Sequence, residues 1–451
     1  MRNNDPLLRM PQICLEASRK AGILWPVTMV PTGFMASLKE FHVALSAALT
    51  NIVQRWVIDK EADLPLRMPL ERQEEDILRW IHKLSEDKLF PAYEDHQGNW
   101  RPDFLLPANE GDEFKVCEIN SRFPSNGFDL NARVYRALDN MDIKPPDLDV
   151  AGDPEHMIAC LKALFHREWP VRFVHNRENN ALVEALMRDL GDMKPRLLTP
   201  DDLQLVADNT SPTGYKLQCA REPASSADTQ DDNMEDIHQV ALRLCFDEFA
   251  SLSPEIQRQL AFHSNNDIRS ILLSHDKRML GILHQELDDL VVKHHVLTKR
   301  QADILRKRVV FTIIPGSKEL EQLIDSYHQG KVSKEEFILK PIRSGRGEGI
   351  ITGQELSNSE WETILANMKN PALSPDRTVY IIQPFVKQAE GDMFIDEKVG
   401  IQRVHRVGTY HCMHGEFAAL GLWRVGVSTN RTTNMTTGGA WKVGSLVPKM
   451  N

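Results

Sequence analysis

The chain has no surplus of positive charge. Its 54 Lys and Arg stand against 64 Asp and Glu, a net charge of −10, which excludes a general nucleic-acid binder but leaves local basic residues free to hold a phosphate or carboxylate. No stretch approaches a membrane span, and the opening MRNNDPLLRMPQ lacks the apolar core of a secretory signal, so a cytoplasmic protein without membrane contact is expected. Cysteine is sparse. Cys14, Cys117, Cys160, Cys219, Cys245 and Cys412 are scattered with no CxxC spacing, which argues against a disulfide framework and predicts reduced, mostly buried thiols. There is no HExxH and no nucleophile elbow. The 16 histidines, among them His405, His411 and His414, show no zinc spacing on a single helix. No internal repeat is visible either.

What is present is ordinary globular composition, 41% hydrophobic and 26% charged over 451 residues, too long for one core and suited to two or three packed units. Residues 1–90 read as helical, with apolar stripes in ASLKEFHVALSAALTNIVQRWV and EEDILRWIHKL. Near residue 100 the pattern turns to short strands, RPDFLLP and FKVCEIN, around the polar turn ANEGDE. VRFVHN, NNALVEALMRDLG and PRLLTP read as the start of a βαβ unit. The acidic stretch 221–236 reads as a surface insertion. Two helices, IRSILLSHDKRMLGILHQEL and TKRQADILRKR, precede a glycine-rich stretch, and TVYIIQPFV and YHCMHGEFAALGLWRVGV after it are β-rich. The class is mixed α and β, with expected units at 1–165, 166–260 and 261–451.

The glycine-rich stretch is FILKPIRSGRGEGIIT. A Walker loop needs its lysine after the glycines and a helix beyond; here Lys340 comes first and a β-branched run follows. A dinucleotide fingerprint also opens a helix, not a strand. The remaining functional reading is a β-hairpin whose tip, Gly345, Gly347 and Gly349, folds over a triphosphate with its N–H groups facing oxygens, while Lys340 neutralises charge. The alternative is a solvated turn, which has no use for three alternate glycines. In YIIQPFV the C=O of Pro384 and the N–H of Val386 are spaced to hold an adenine, although a plain core strand fits the same residues. In FKVCEIN, Glu118 and Asn120 lie two apart on one strand face and offer hard oxygen ligands for Mg²⁺; an edge strand with Glu118 in water is the rival reading.

Together RPDFLLP…FKVCEIN, SHDKRML, FILKPIRSGRGEG, YIIQPFV and TTNMTTGGAW resemble the ATP-grasp superfamily. The carboxylate-x-Asn segment precedes the glycines instead of following them, which resembles the circularly permuted branch typified by eukaryotic glutathione synthetase. The resemblance implies ATP-grasp architecture with a helical N-terminal region and a small βαβ-type domain, and ATP and Mg²⁺ as cofactors. It implies that Lys277 and Lys340 hold ATP phosphates and that Ser344, Gly345, Gly347 and Gly349 form the lid. Gln383, Pro384 and Val386 would line the adenine hinge, and Glu118 and Asn120 would bind metal. Arg101 would lie near the acceptor, and Arg424 and Arg431 are candidates for the substrate-binding arginine, acting with Lys340 in catalysis. Two departures stand out. Ser344 occupies the place of a metal-binding glutamate, with Glu348 four positions on as its potential substitute, and SRFPSNGFD replaces a run of small residues facing the substrate.

These features lead to an expected ATP-dependent carboxylate–amine ligase. Small-molecule acid and amine would be its partners, with no nucleic acid or membrane and with a homodimer left open. A synthetase of primary thiol metabolism and a nucleotide-binding protein without turnover are the alternatives.

Overall fold

The computed structural model describes residues 27–449 apart from 32, 109–112, 141–146, 177–179, 222–232, 346, 375, 396–398, 429–432 and 434–439. Its first long element is the helix Phe34–Arg55, where Leu38, Phe41, Leu45, Ala48 and Ile52 recur at three- and four-residue spacing and are fully buried. That stripe lies on a sheet: Phe34 meets the rings of Phe104, Phe114 and Trp423 at centroid distances of 5.8, 5.6 and 6.4 Å. Gly33, at φ 87°, makes the left-handed entry that sets the helix on this path.

The sheet has nine strands gathered from distant parts of the chain, in the order Val27–Met29, Ala440–Pro448, Trp423–Val427, Ile401–Met413, Asn99–Leu105, Lys115–Asn120. Glu390–Phe394 and Glu416–Leu420 also pair with the long strand Ile401–Met413, and Leu148–Val150 pairs with Ala440–Pro448. Segments of the regions 1–165 and 261–451 are thus strands of one sheet.

A separate parallel sheet holds Val240–Leu242, Arg172–Val174 and Arg196–Leu198, and the helix Asn180–Asp189 joins its last two strands as the βαβ reading expects. Next to it is a meander of Gln204–Ala207, Tyr215–Ala220 and Met234–Asp236. The end of the acidic stretch is therefore a paired strand and not insertion, while residues 222–232 lie outside the described residues.

The glycine-rich segment is a hairpin. Phe337–Pro341 pairs antiparallel with Ile351–Thr352 on one side and Tyr380–Pro384 on the other. Leu320, Leu323 and Ile324 of the helix Lys318–His328, with Trp361 and Leu365 of Asn358–Met368, bury the other face of this sheet. One expected helix is broken. IRSILLSHDKRMLGILHQEL forms a π turn at Ser270–Ser274 and then a helix Arg278–Val292. Asp276 accepts the Arg278 N–H at 2.9 Å, and the Lys277 N–H goes to the Ile342 carbonyl at 3.1 Å, so both backbone groups leave the helical ladder.

Candidate active site

A cavity of about 900 Å³ is lined by the large sheet and by the glycine hairpin sheet. Register builds its floor. In the antiparallel pair Asn99–Leu105 and Lys115–Asn120, Arg101 stands opposite Asn120 and Asp103 opposite Glu118, so all four side chains share one face. A bulge follows at Asp103/Phe104, and the register resumes with Phe104 opposite Val116. Without that shift Val116 would share the face of Glu118; with it, Val116 is buried in the core.

Two carboxylates directly opposite each other repel unless cations lie between them. Here they do. Arg101 Nε donates to Asp103 Oδ1 at 2.8 Å and Arg424 Nη2 to Asp103 Oδ2 at 2.5 Å, while Lys277 Nζ lies 3.9 Å from Glu118 Oε2. Burial opposes ionisation of Glu118, but Lys277, Lys340 and Arg424 outweigh it and hold the carboxyl below the usual carboxylate range. Asn120 Nδ2 reaches Asp103 Oδ2 at 3.3 Å and Glu118 Oε1 at 3.4 Å.

The two lysines reach this floor from different segments. Lys340 Nζ and Gln383 Nε2 both donate to the Cys117 carbonyl, at 3.4 and 3.2 Å. Lys277 Nζ donates to the Ser344 carbonyl at 2.7 Å, at the entry to the glycine tip. Burial and the like charge of Lys340 lower the Lys277 pKa, against the opposing pull of Glu118. Arg343 fastens the same entry, donating to Glu74 Oε1 at 2.8 Å and Asp276 Oδ2 at 3.3 Å. Asp276 also holds the fully buried Arg278. Ser344 Oγ donates to the Glu348 carbonyl at 2.8 Å, so its hydroxyl closes the loop on itself.

The three glycines are not equivalent. Gly347 and Gly349 take φ of 76° and 71°, and a Cβ on Gly349 would lie 2.8 Å from Pro341 Cγ. Gly345 has neither requirement: no φ in the left-handed region, and open space where its Cβ would project beside the cavity. Backbone geometry accounts for two glycines, and the third is a lining residue of the cavity. Pro384 and Val386 line the cavity as well, and the N–H of Phe385 between them is taken by the Glu336 carbonyl at 2.7 Å.

The structure thus brings together Arg101, Glu118, Asn120, Lys277, Lys340, Ser344, Gly345, Gly347, Gln383, Pro384, Val386 and Arg424. Gly349 braces the loop from behind. Arg431 and the two glycines of TTNMTTGGAW, Gly438 and Gly439, lie outside the described residues. Cys117 is buried, with its thiol pushed up to about 11 by burial. Asp103, the hub for both arginines, was not singled out by the sequence reading, yet RPD places it two residues from Arg101 on one strand face, a signal that was available. Lys442, Arg122, Phe123 and Phe246 also line the cavity; nothing local in the sequence marks them. Among the described residues no three His, Cys, Asp or Glu side chains converge as a metal cage. Glu118 and the amide of Asn120 supply two hard oxygens once the amide is turned, which fits Mg²⁺, an ion that keeps waters and phosphates in its shell.

Comparison with known proteins gives the family. Residues 41–273 match the family model of the AnkG N-terminal domain. Over 443 residues the chain is 36% identical to the ATP-grasp enzyme ankG of Aspergillus thermomutatus, covering 94% of this chain and 88% of that protein. The family model takes in Glu118 and Asn120 and ends just before Lys277.

Proposed function

The chain belongs to the ankG family of ATP-grasp enzymes, and from that premise we propose that it joins a small-molecule carboxylate to an amine, forming an amide or peptide bond through an acyl phosphate, in specialised metabolism. The observation that carries this reading is the meeting of Glu118, Lys277 and Lys340, three segments far apart in sequence, at the mouth of the glycine hairpin. Lys277 and Lys340 would neutralise the phosphates, and the tip from Ser344 to Gly349 would cover them and exclude water. Pro384 and Val386 would hold the adenine. Mg²⁺, held by Glu118 and Asn120, would neutralise the charge that builds up on the β- and γ-oxygens of ATP.

Arg101 and Arg424 share Asp103 and face the same cavity, so a substrate carboxylate can exchange for part of that pairing and be aimed in line at the γ-phosphorus. The donor carboxylate oxygen attacks that phosphorus, ADP leaves, and the amine then displaces phosphate at the acyl carbon. No side-chain nucleophile is required. The order of the parts, with the metal pair ahead of the glycine hairpin, supports the circularly permuted arrangement seen in eukaryotic glutathione synthetase. Ser344, in place of a metal-binding glutamate, and the residues of SRFPSNGFD favour a substrate other than that of thiol metabolism.

The test is the fate of the nucleotide. Incubated with ATP, Mg²⁺ and pooled acids and amines, the enzyme releases ADP, and oxygen-18 from the donor carboxylate appears in phosphate. AMP as the main product overturns the acyl-phosphate route, and no nucleotide turnover with any pool favours a binding protein.

A further inference from the structure

Among the described residues, the guanidinium of Arg122 has no counter-ion. Arg122 follows the metal pair directly and lines the cavity, and its Nη2 donates only to a weak acceptor, Cys245 Sγ, at 3.3 Å. Its Nε is buried with no partner, and among the described residues it forms no ion pair. Two aromatic rings pack against the group: its guanidinium carbon lies 4.3 Å from the Phe123 ring centroid and 5.2 Å from that of Phe246. Arg243 stacks on the same Phe123 at 5.5 Å and also lines the cavity. A guanidinium packed against aromatic rings still presents the N–H donors of its edge, and that edge matches a carboxylate. A buried donor without an acceptor is costly, so the position is best explained by an acceptor that arrives with a ligand.

Its place along the strand sets it apart from the adenine segment. The adenine segment joins the large sheet at the Leu105 end, through Ala389 N–H to Leu106 O at 2.7 Å and Ala108 N–H to Lys387 O at 2.9 Å. Leu105 pairs with Lys115, whereas Asn120 pairs with Arg101 at the other end. The strand between runs about 17 Å at its usual rise, with Glu118 and Asn120 toward its far end and Arg122 beyond them in the chain.

We propose that Arg122, on the wall formed by Phe123, Phe246 and Arg243, binds a second carboxylate of the substrates, one that does not react. The enzyme thus acts on an acid carrying two carboxylates or on an amine that is itself an amino acid. The proposal rests on the ligase reading for which substrates these are, but the anion site itself can be tested without turnover.

The experiment is calorimetric titration of the full chain, with and without saturating non-hydrolysable ATP analogue and Mg²⁺. One arm uses linear diacids from malonate to adipate and their monoamides; the other uses α-amino acids and their amides. In at least one arm the free carboxylate should bind more tightly than its amide. Arg122→Gln should remove that preference, weakening the carboxylate by about tenfold or more, and Arg122→Lys should restore part of it. An unchanged nucleotide affinity in Arg122→Gln certifies its fold. The proposal is overturned if neither arm prefers the carboxylate, if Arg122→Gln keeps the preference, or if that variant loses nucleotide affinity, which would assign the guanidinium to a phosphate. Failure of the wild type to bind the analogue counts against the ligase reading alone, because the titrations without nucleotide still report on Arg122.

Discussion

At Asp103 a single carboxylate decides the geometry of two arginines. It is fully buried and accepts from Arg101 and Arg424 while standing opposite Glu118. Replacing it by Asn keeps the shape and removes the charge, leaving two guanidiniums facing one another beside Lys442. Asp103→Asn should lower stability by about 3 kcal/mol or more, read by urea unfolding, and a loss below 1 kcal/mol would show that the arginines find other partners. Lys340 differs in kind. Among the described residues its ammonium donates a hydrogen bond to the Cys117 carbonyl, which Gln383 also satisfies, so Lys340→Ala should fold normally. It should raise the KM for ATP and cut kcat by about a hundredfold, corresponding to about 3 kcal/mol of lost charge stabilisation. Wild-type kinetics in a folded Lys340→Ala protein would remove the loop from the mechanism.

The glycine hairpin makes a contrast that separates backbone from ligand. Gly349 combines a left-handed φ with Pro341 at its back, so Gly349→Ala should cost about 1–2 kcal/mol of stability. Gly345 has open space and an ordinary φ, and Gly345→Ala should leave the melting temperature within about 2 °C. Gly345 lines the cavity, so a methyl group there should lower ATP affinity while stability holds. Equal nucleotide affinity in Gly345→Ala and wild type would return that glycine to a turn role. The hairpin also shows why its neighbours are charged: Arg343 is tied to Glu74 and Asp276, and Asp276 to Arg278. The same short segment that delivers Lys277 therefore anchors the loop it serves.

Across the whole molecule, histidines held below their usual range contribute to the response to acid. Burial pushes His42, His263 and His414 down to about 4 and, with the charges of Lys277 and Arg122 added, His275 down to about 3. These rings are neutral in the folded protein, whereas in the unfolded chain they take up protons near pH 6.5. Between those values the unfolded state binds more protons, so stability is complete above pH 6.5 and is lost as pH falls toward 4. Each ring contributes about 1.4 kcal/mol per pH unit in that window. Urea unfolding at pH 7.5, 6 and 5 should show this slope. His42 contacts Tyr410 and the Gly415 carbonyl away from the cavity, and His42→Gln should flatten the slope by one ring's share. An unchanged slope would mean that His42 titrates normally in the folded state.

The sequence by itself determined the local parts. Apolar spacing is a short-range property, and it marked the helix Phe34–Arg55, the βαβ start and the hairpin around Gly345 to Gly349. Period-two alternation likewise placed Glu118 and Asn120 on one face, and the motifs SHDKRML and FILKP named Lys277 and Lys340. What the tertiary structure decided is everything that depends on which strands become neighbours. Asp103 faces Glu118 only because of an antiparallel register and a bulge. Arg424 reaches Asp103 across the sheet from a strand more than three hundred residues on. The helix expected through SHDKRML is interrupted because Ile342 offers a competing carbonyl from another element. That Arg122 has no counter-ion among the described residues, and packs on Phe123 and Phe246, is visible only in the folded cavity. Contacts of this kind are fixed by long-range pairing, whose partners no window of neighbouring residues contains.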